Sequence, residues 1–150
     1  MDRIDKKILA ELQQDGRLSV TDLADRVSLS VSPCHRRVKA LEASGAISSY
    51  RALLDAEALG LTFEALIFVS MHTADRSTIA AFEDAVAEVP NILQVQRLFG
   101  DPDYLMRVIA RDRAAFQQLY DHSLATLPGV QRLVSTLVMK NVVFDRSLPL

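Results

Sequence analysis

Three short stripes of apolar residues at helical spacing, followed by a longer stretch in which strand-like and helix-like segments alternate, confine this chain to few folds. Ile4, Ile8, Leu9 and Leu12 recur at a period near 3.6, and Gly16 follows where a helix is expected to stop. Ser19 predicts an N-cap, with Asp22 in place of the usual Glu or Gln partner, leading into a short second helix through Leu23, Ala24 and Val27. Ser28-Leu29-Ser30 is too brief for anything but a corner, with Leu29 turned inward and Ser30 placed to cap a third helix over about residues 31–44, ended by Gly45. On that third helix Cys34, Val38 and Leu41 fall within about 60° of one another and predict a buried stripe.

The opposite side of the third helix carries Ser32, Arg36 and Lys39, with His35 at its flank. Two short helices joined by a tight corner, the second with its cations outward, are the parts of a helix-turn-helix that lays its second helix in the major groove of duplex DNA. Arg can bond guanine O6 and N7 together, whereas Lys and Ser hold phosphates or serve either role, so Arg36 is the first candidate for base reading. Arg37 lies about 60° from the core stripe, which leaves a DNA contact and an ion pair with Glu11 or Glu42 both open. Residues 47–51 have strand character and end in Arg51, as a small wing reaching the DNA backbone would.

Charge supports a local rather than a general polyanion contact. The net charge of −2 divides into +2 over residues 1–51 and −4 over residues 52–150, and between Ser30 and Arg51 the cations Arg36, Arg37, Lys39 and Arg51 face Glu42 alone. The single cysteine, Cys34, closes no internal bridge and reads as core packing; with no apolar leader at the start and no run near the roughly 20 apolar residues that span a bilayer, a cytoplasmic protein without membrane contact is expected. His35, His72 and His122 have no metal-ligand spacing, no glycine-rich phosphate loop occurs and no nucleophile and base are set together, so neither catalytic nor metal residues, nor a cofactor, are expected.

Residues 55–62, with Gly60, lack a sustained pattern and read as a linker between a first domain over 1–54 and a second over 63–150. Beyond it the pattern predicts a strand at 64–73, a helix at 78–89 capped by Ser77, and a strand at 92–99. The turn Gly100-Asp101-Pro102-Asp103 follows, then a strand at 104–111, a helix capped by Asp112 with Phe116, Tyr120, Leu124 and Leu127 on one face, a break at Pro128-Gly129, and a last strand at 130–143. The order βαββαβ is ferredoxin-like, an α+β arrangement with both helices on one face of an antiparallel sheet. Strands such as residues 65–69 and 137–139 are apolar on both sides, so a second sheet is expected to cover the open face in a homodimer. The residues of the 100–103 turn are those any turn prefers, yet Gly100 permits close approach and Asp101 and Asp103 concentrate negative charge, so ligand binding stands as an alternative there.

The segments at residues 2–5, 8–9, 12–17, 29–38, 45–47, 50–52, 100–104 and 127–130 together resemble the Lrp/AsnC regulators, the leucine-responsive or feast/famine transcription factors, in order over essentially the whole chain. The resemblance implies a winged helix-turn-helix binding double-stranded DNA through Ser32, His35, Arg36, Arg37, Lys39 and Arg51. It also implies a ferredoxin-like, ACT-like effector domain that pairs through its sheet and assembles further into a tetramer of dimers. A small amino acid is then expected as effector, its ammonium group facing Asp103, with backbone contacts from Gly100 and Asp101 and hydroxyls from Ser135 or Thr136. This chain departs from the family pattern at Val31, often proline, and at Pro102, often aromatic or acidic, which removes one backbone donor. Leu133 and Val134 are more apolar than in many members. The leading expectation is a sequence-specific regulator whose DNA affinity or assembly a metabolite modulates. The alternative is an architectural DNA-binding protein that needs no ligand.

Overall fold

In the computed structural model, which describes residues 1–150, helix α1 (Arg3–Gln14) starts at a reciprocal cap. The Asp2 carboxylate accepts the N–H groups of Ile4 and Asp5 at 2.8 and 2.9 Å, and the Asp5 carboxylate accepts that of Asp2 at 3.0 Å. Helix α2 (Val20–Val27) begins at Ser19, whose Oγ accepts from the Asp22 N–H at 3.0 Å as expected. Ser28 adopts a left-handed conformation at φ 58°, and Ser30 precedes α3 (Val31–Ala43) without making the side-chain cap its position predicts. Ile8, Leu23, Ala24, Val27, Cys34, Val38 and Leu41 close one buried cluster between these helices.

The expected wing strand does not form. Residues 48–55 enter no ladder, and a strand exists only where a neighbour accepts and donates its backbone bonds. The last nine residues, read from sequence as part of the second domain, instead group with the first fifty-four, so that the two units are 1–54 with 142–150, and 55–141. One side chain explains the attachment: Gln13 donates from Nε2 to the Leu148 carbonyl at 3.2 Å and accepts the Leu148 N–H at Oε1 at 2.7 Å.

The second unit runs β1 (Phe63–Met71), α4 (Arg76–Ala87), β2 (Ile92–Arg97), β3 (Tyr104–Ala110), α5 (Arg113–Leu119) continuing as a π-helical turn (Tyr120–Leu124), and β4 (Val130–Leu137). The antiparallel sheet has the order β2-β3-β1-β4, the ferredoxin-like topology the sequence predicts. Helix α4 starts earlier than expected because Asp75, not Ser77, caps it. The Asp75 carboxylate accepts from the backbone of Ser77 and Thr78, and the hydroxyls of Ser77, Thr78 and Thr73 hold its carboxyl far below the usual range. Strand β4 stops at Leu137 rather than running to 143: Leu137 pairs with Ala65, the Val138 N–H makes one more bond to the Glu64 carbonyl at 3.0 Å, and β1 begins at Phe63, so the residues that follow have no strand alongside.

Ile67, Val69, Met106 and Val108 point from the sheet toward Phe82, Val86 and Leu124 of the helices, and the Phe82 and Tyr104 rings sit 4.6 Å apart. Gly129 lets β4 begin against α4: its φ is +71°, and a Cβ there would fall 2.2 Å from Thr78 Cγ2. On the other face Leu66, Phe68, Leu105 and Val134 have no helix over them, as the apolar-on-both-sides pattern predicts. No helix of the chain is long and apolar enough to cross a membrane.

Candidate nucleic-acid interface and ligand hollow

Helix α3 buries Cys34, Val38 and Leu41 and leaves Ser32, His35, Arg36 and Lys39 exposed, so the division read from its wheel holds in three dimensions. Burial pushes the Cys34 thiol above its usual pKa, which keeps it protonated and inert in the core. Lys39 lies 2.8 Å from Glu42 one turn on, and that contact lowers the Glu42 carboxyl and raises the Lys39 ammonium. An exposed pair of this kind is worth little, so Lys39 is released from Glu42 at small cost. The Tyr50 hydroxyl also donates to Glu42, at 3.3 Å. Arg51 is exposed on the coil where a wing strand was expected.

Arg37 belongs elsewhere. Its guanidinium reaches the carboxylates of Asp2 and Asp5, both at 2.7 Å, and so ties the middle of α3 to the N-terminal turn of α1. Neither candidate ion-pair partner from the sequence is used, because Glu11 holds Arg26 at 3.0 Å and Glu42 holds Lys39. Of the two roles open to Arg37, the ion pair is the one the chain makes, with Asp2 and Asp5 as its partners. Asp2 and Asp5 escaped the sequence reading, although their i,i+3 spacing before an apolar stripe is the sign of a capping box.

At one end of the sheet a hollow of about 610 Å³ is lined by Ser70, Met71, Gly100, Asp101, Asp103, Gln131 and Arg132. The 100–103 turn is fixed to β1 by Asp103, whose N–H donates to the Val69 carbonyl at 2.9 Å and whose Oδ2 accepts the Met71 N–H at 2.7 Å. One carboxylate oxygen of Asp103 is therefore committed to the backbone, where the register of β1 against β4 shifts between Ser70 and Met71. Asp101 Oδ1 lies 3.4 Å from Ser70 Oγ, and Gly100 supplies a φ of +148°, which a side chain rarely adopts.

The hydroxyls expected at the hollow do not reach it. Ser135 pairs with Ile67 and Thr136 with Leu66, so the two point to opposite faces of the sheet, and Thr136 is about 13 Å along β4 from Arg132 at 3.3 Å per residue. The register instead sets Arg132 directly across from Ser70, beside Asp101 and Asp103. Arg132 was missed because no local signal separates a pocket residue on a strand from a solvated one; the pairing register decides. Two carboxylates, a guanidinium and a hydroxyl in one hollow are complementary to a small zwitterion.

Comparison with known proteins brings both regions under one description. Residues 64–148 match the family model described as Lrp/AsnC ligand binding domain, and residues 1–48 the model described as winged helix-turn-helix DNA-binding. The chain is 38% identical over its whole length to the Bkd operon transcriptional regulator of Pseudomonas aeruginosa, covering 98% of that protein. It is 37% identical over 142 residues to a leucine-responsive regulatory protein of Rhizobium meliloti, covering 95% of this chain and 91% of that one. Among solved structures, a transcriptional regulator of Neisseria meningitidis in complex with L-Met is similar at a TM-score of 0.94 and 38% identity, covering 99% of this chain and 96% of that one.

Proposed function

The chain belongs to the Lrp/AsnC family of transcriptional regulators, and on that premise we propose that α3 reads duplex DNA while the hollow beside the 100–103 turn takes a small amino acid that changes DNA affinity or assembly. The observation that carries the effector half of this reading is Arg132 brought opposite Ser70 and beside Asp101 and Asp103. The free oxygen of Asp103, with Asp101, meets the ammonium group. Arg132 meets the carboxylate, which offsets the donor that Pro102 lacks. The names of two relatives, one leucine-responsive and one solved with L-Met, support an amino acid as the ligand class. Ser32, His35 and Arg36 face the DNA, with Lys39 and Arg51 on its phosphates.

The protein acts by binding rather than by turnover, in the cytoplasm where its DNA is, and as a homodimer or a multiple of one. Support for pairing is the uncovered apolar face of Leu66, Phe68, Leu105 and Val134, with Val134 43% exposed. Nothing favours the ligand-independent architectural alternative.

The test is a thermal melt of the full-length protein with each of the twenty amino acids, followed by DNA titration with and without any that shift it. A ligand at a hundredfold its Kd stabilises by about 2.7 kcal/mol, which moves the melting temperature by several degrees. The expected result is a shift from one or a few amino acids that disappears in Arg132→Ala. A panel without any shift, or a shift untouched by that variant, rejects the hollow as the site.

A further inference from the structure

We propose that Val31 is a specificity-determining residue that reads the methyl group of a thymine in the major groove. Across α1, α2 and α3 every other large apolar side chain is buried or partly buried, whereas Val31 stands 46% exposed. It occupies the first position of α3, next to exposed Ser32 and one turn before His35 and Arg36. In a helix-turn-helix it is the N-terminal residues of the second helix that meet base edges, so the inference rests on α3 being the element that enters the groove.

The exposed side of α3 near its start otherwise offers a hydroxyl from Ser32 and, one turn on, the cation of Arg36. A branched hydrocarbon at that end has no phosphate or hydrogen-bonding role. The floor of the major groove presents one apolar group, the C5 methyl of thymine, and its match is an apolar side chain. Burying that methyl against Val31 on binding removes two apolar surfaces from water. Arg36 then selects guanine through hydrogen bonds, while Val31 selects thymine through shape and desolvation, at separate positions of one half-site.

The experiment starts from duplexes enriched out of a random pool by the full-length protein. Each thymine of the enriched site is then replaced singly by deoxyuridine, which deletes the methyl and keeps every hydrogen-bonding group. The expected result is one position per half-site where the replacement weakens wild-type binding by about fourfold, the transfer value of one buried methyl. Val31→Ala binds the thymine and uracil duplexes alike there, whereas Arg36→Ala still distinguishes them. Val31→Ile, which keeps the hydrocarbon, retains the discrimination, and an unchanged melting temperature of Val31→Ala shows that its loss there is not a loss of fold. Indifference of the wild type to every thymine replacement, or full discrimination retained by Val31→Ala, overturns the proposal. Failure to enrich any sequence overturns the reading of α3 itself along with it, a different and recognisable outcome.

Discussion

Two adjacent arginines with the same local sequence signal have different fates. Arg36 makes no ion pair within the chain and faces outward, while Arg37 is held between Asp2 and Asp5. Arg36→Ala is expected to cost about 1–3 kcal/mol on an enriched duplex and to relax its sequence preference, read by titration against that duplex and a scrambled one. Arg37→Ala is expected to leave sequence preference intact and to lower the melting temperature instead. The Asp2 carboxyl is held below its ordinary value of 3.8, first by the Asp5 N–H and next by Arg37. That contribution is complete above the ordinary value and is lost as pH falls through the lowered one, so acid melts of wild type and Arg37→Ala converge at low pH. In the hollow, Asp103→Ala removes both the proposed ammonium partner and the acceptor for the Met71 N–H. It is expected to abolish ligand-induced stabilisation while leaving ligand-free DNA affinity unchanged; a retained ligand shift would move the site elsewhere.

Elements were legible where the signal is local and lost where it depends on a partner. The α1–α3 stripes, the caps at Ser19 and Asp112 and the order of the second unit followed from spacing alone. The wing strand and the far end of β4 did not, since both depend on whether another strand lies alongside. At β3, burial and a hydrogen bond to Glu83 at 2.8 Å push the Tyr104 hydroxyl from 10 up to about 12. A raised value favours the neutral form in the folded state, so this stabilisation is whole below pH 10 and is lost as pH rises toward about 12. Alkaline melts should show that loss in wild type and a flatter profile in Tyr104→Phe. Where β4 meets α4, Gly129→Ala forces a Cβ into Thr78 Cγ2 at 2.2 Å. Overpacking of this kind costs about 1–3 kcal/mol, measured by denaturant melt, and Thr78→Ser on the same background should recover part of it.

At the scale of the whole molecule, the open sheet face is the surface on which the proposed pairing rests. Glu64 and Arg107 pair across it at 2.5 Å, at the edge of the apolar patch of Leu66, Phe68, Leu105 and Val134. Placing a carboxylate in that patch with Phe68→Asp is expected to reduce the molar mass measured by light scattering to that of one 16.6 kDa chain. Far-ultraviolet circular dichroism should be retained, since Phe68 points away from the buried cluster. DNA affinity should fall with the loss of the second half-site contact. An unchanged mass would place pairing on another surface.

Taken by itself, the order of residues determined the helices, the four strands that form in the second unit and the side of α3 that carries its cations. These are matters of period and of nearest neighbours, and each is written in a window of a dozen residues. Only the tertiary structure decided that Arg37 is internal, that Arg132 rather than Ser135 or Thr136 enters the hollow, and that the last nine residues attach to the first unit through Gln13. Those outcomes join groups separated by tens of residues or more. Strand register and packing select the partner from many of equal local merit, and no local window contains that choice.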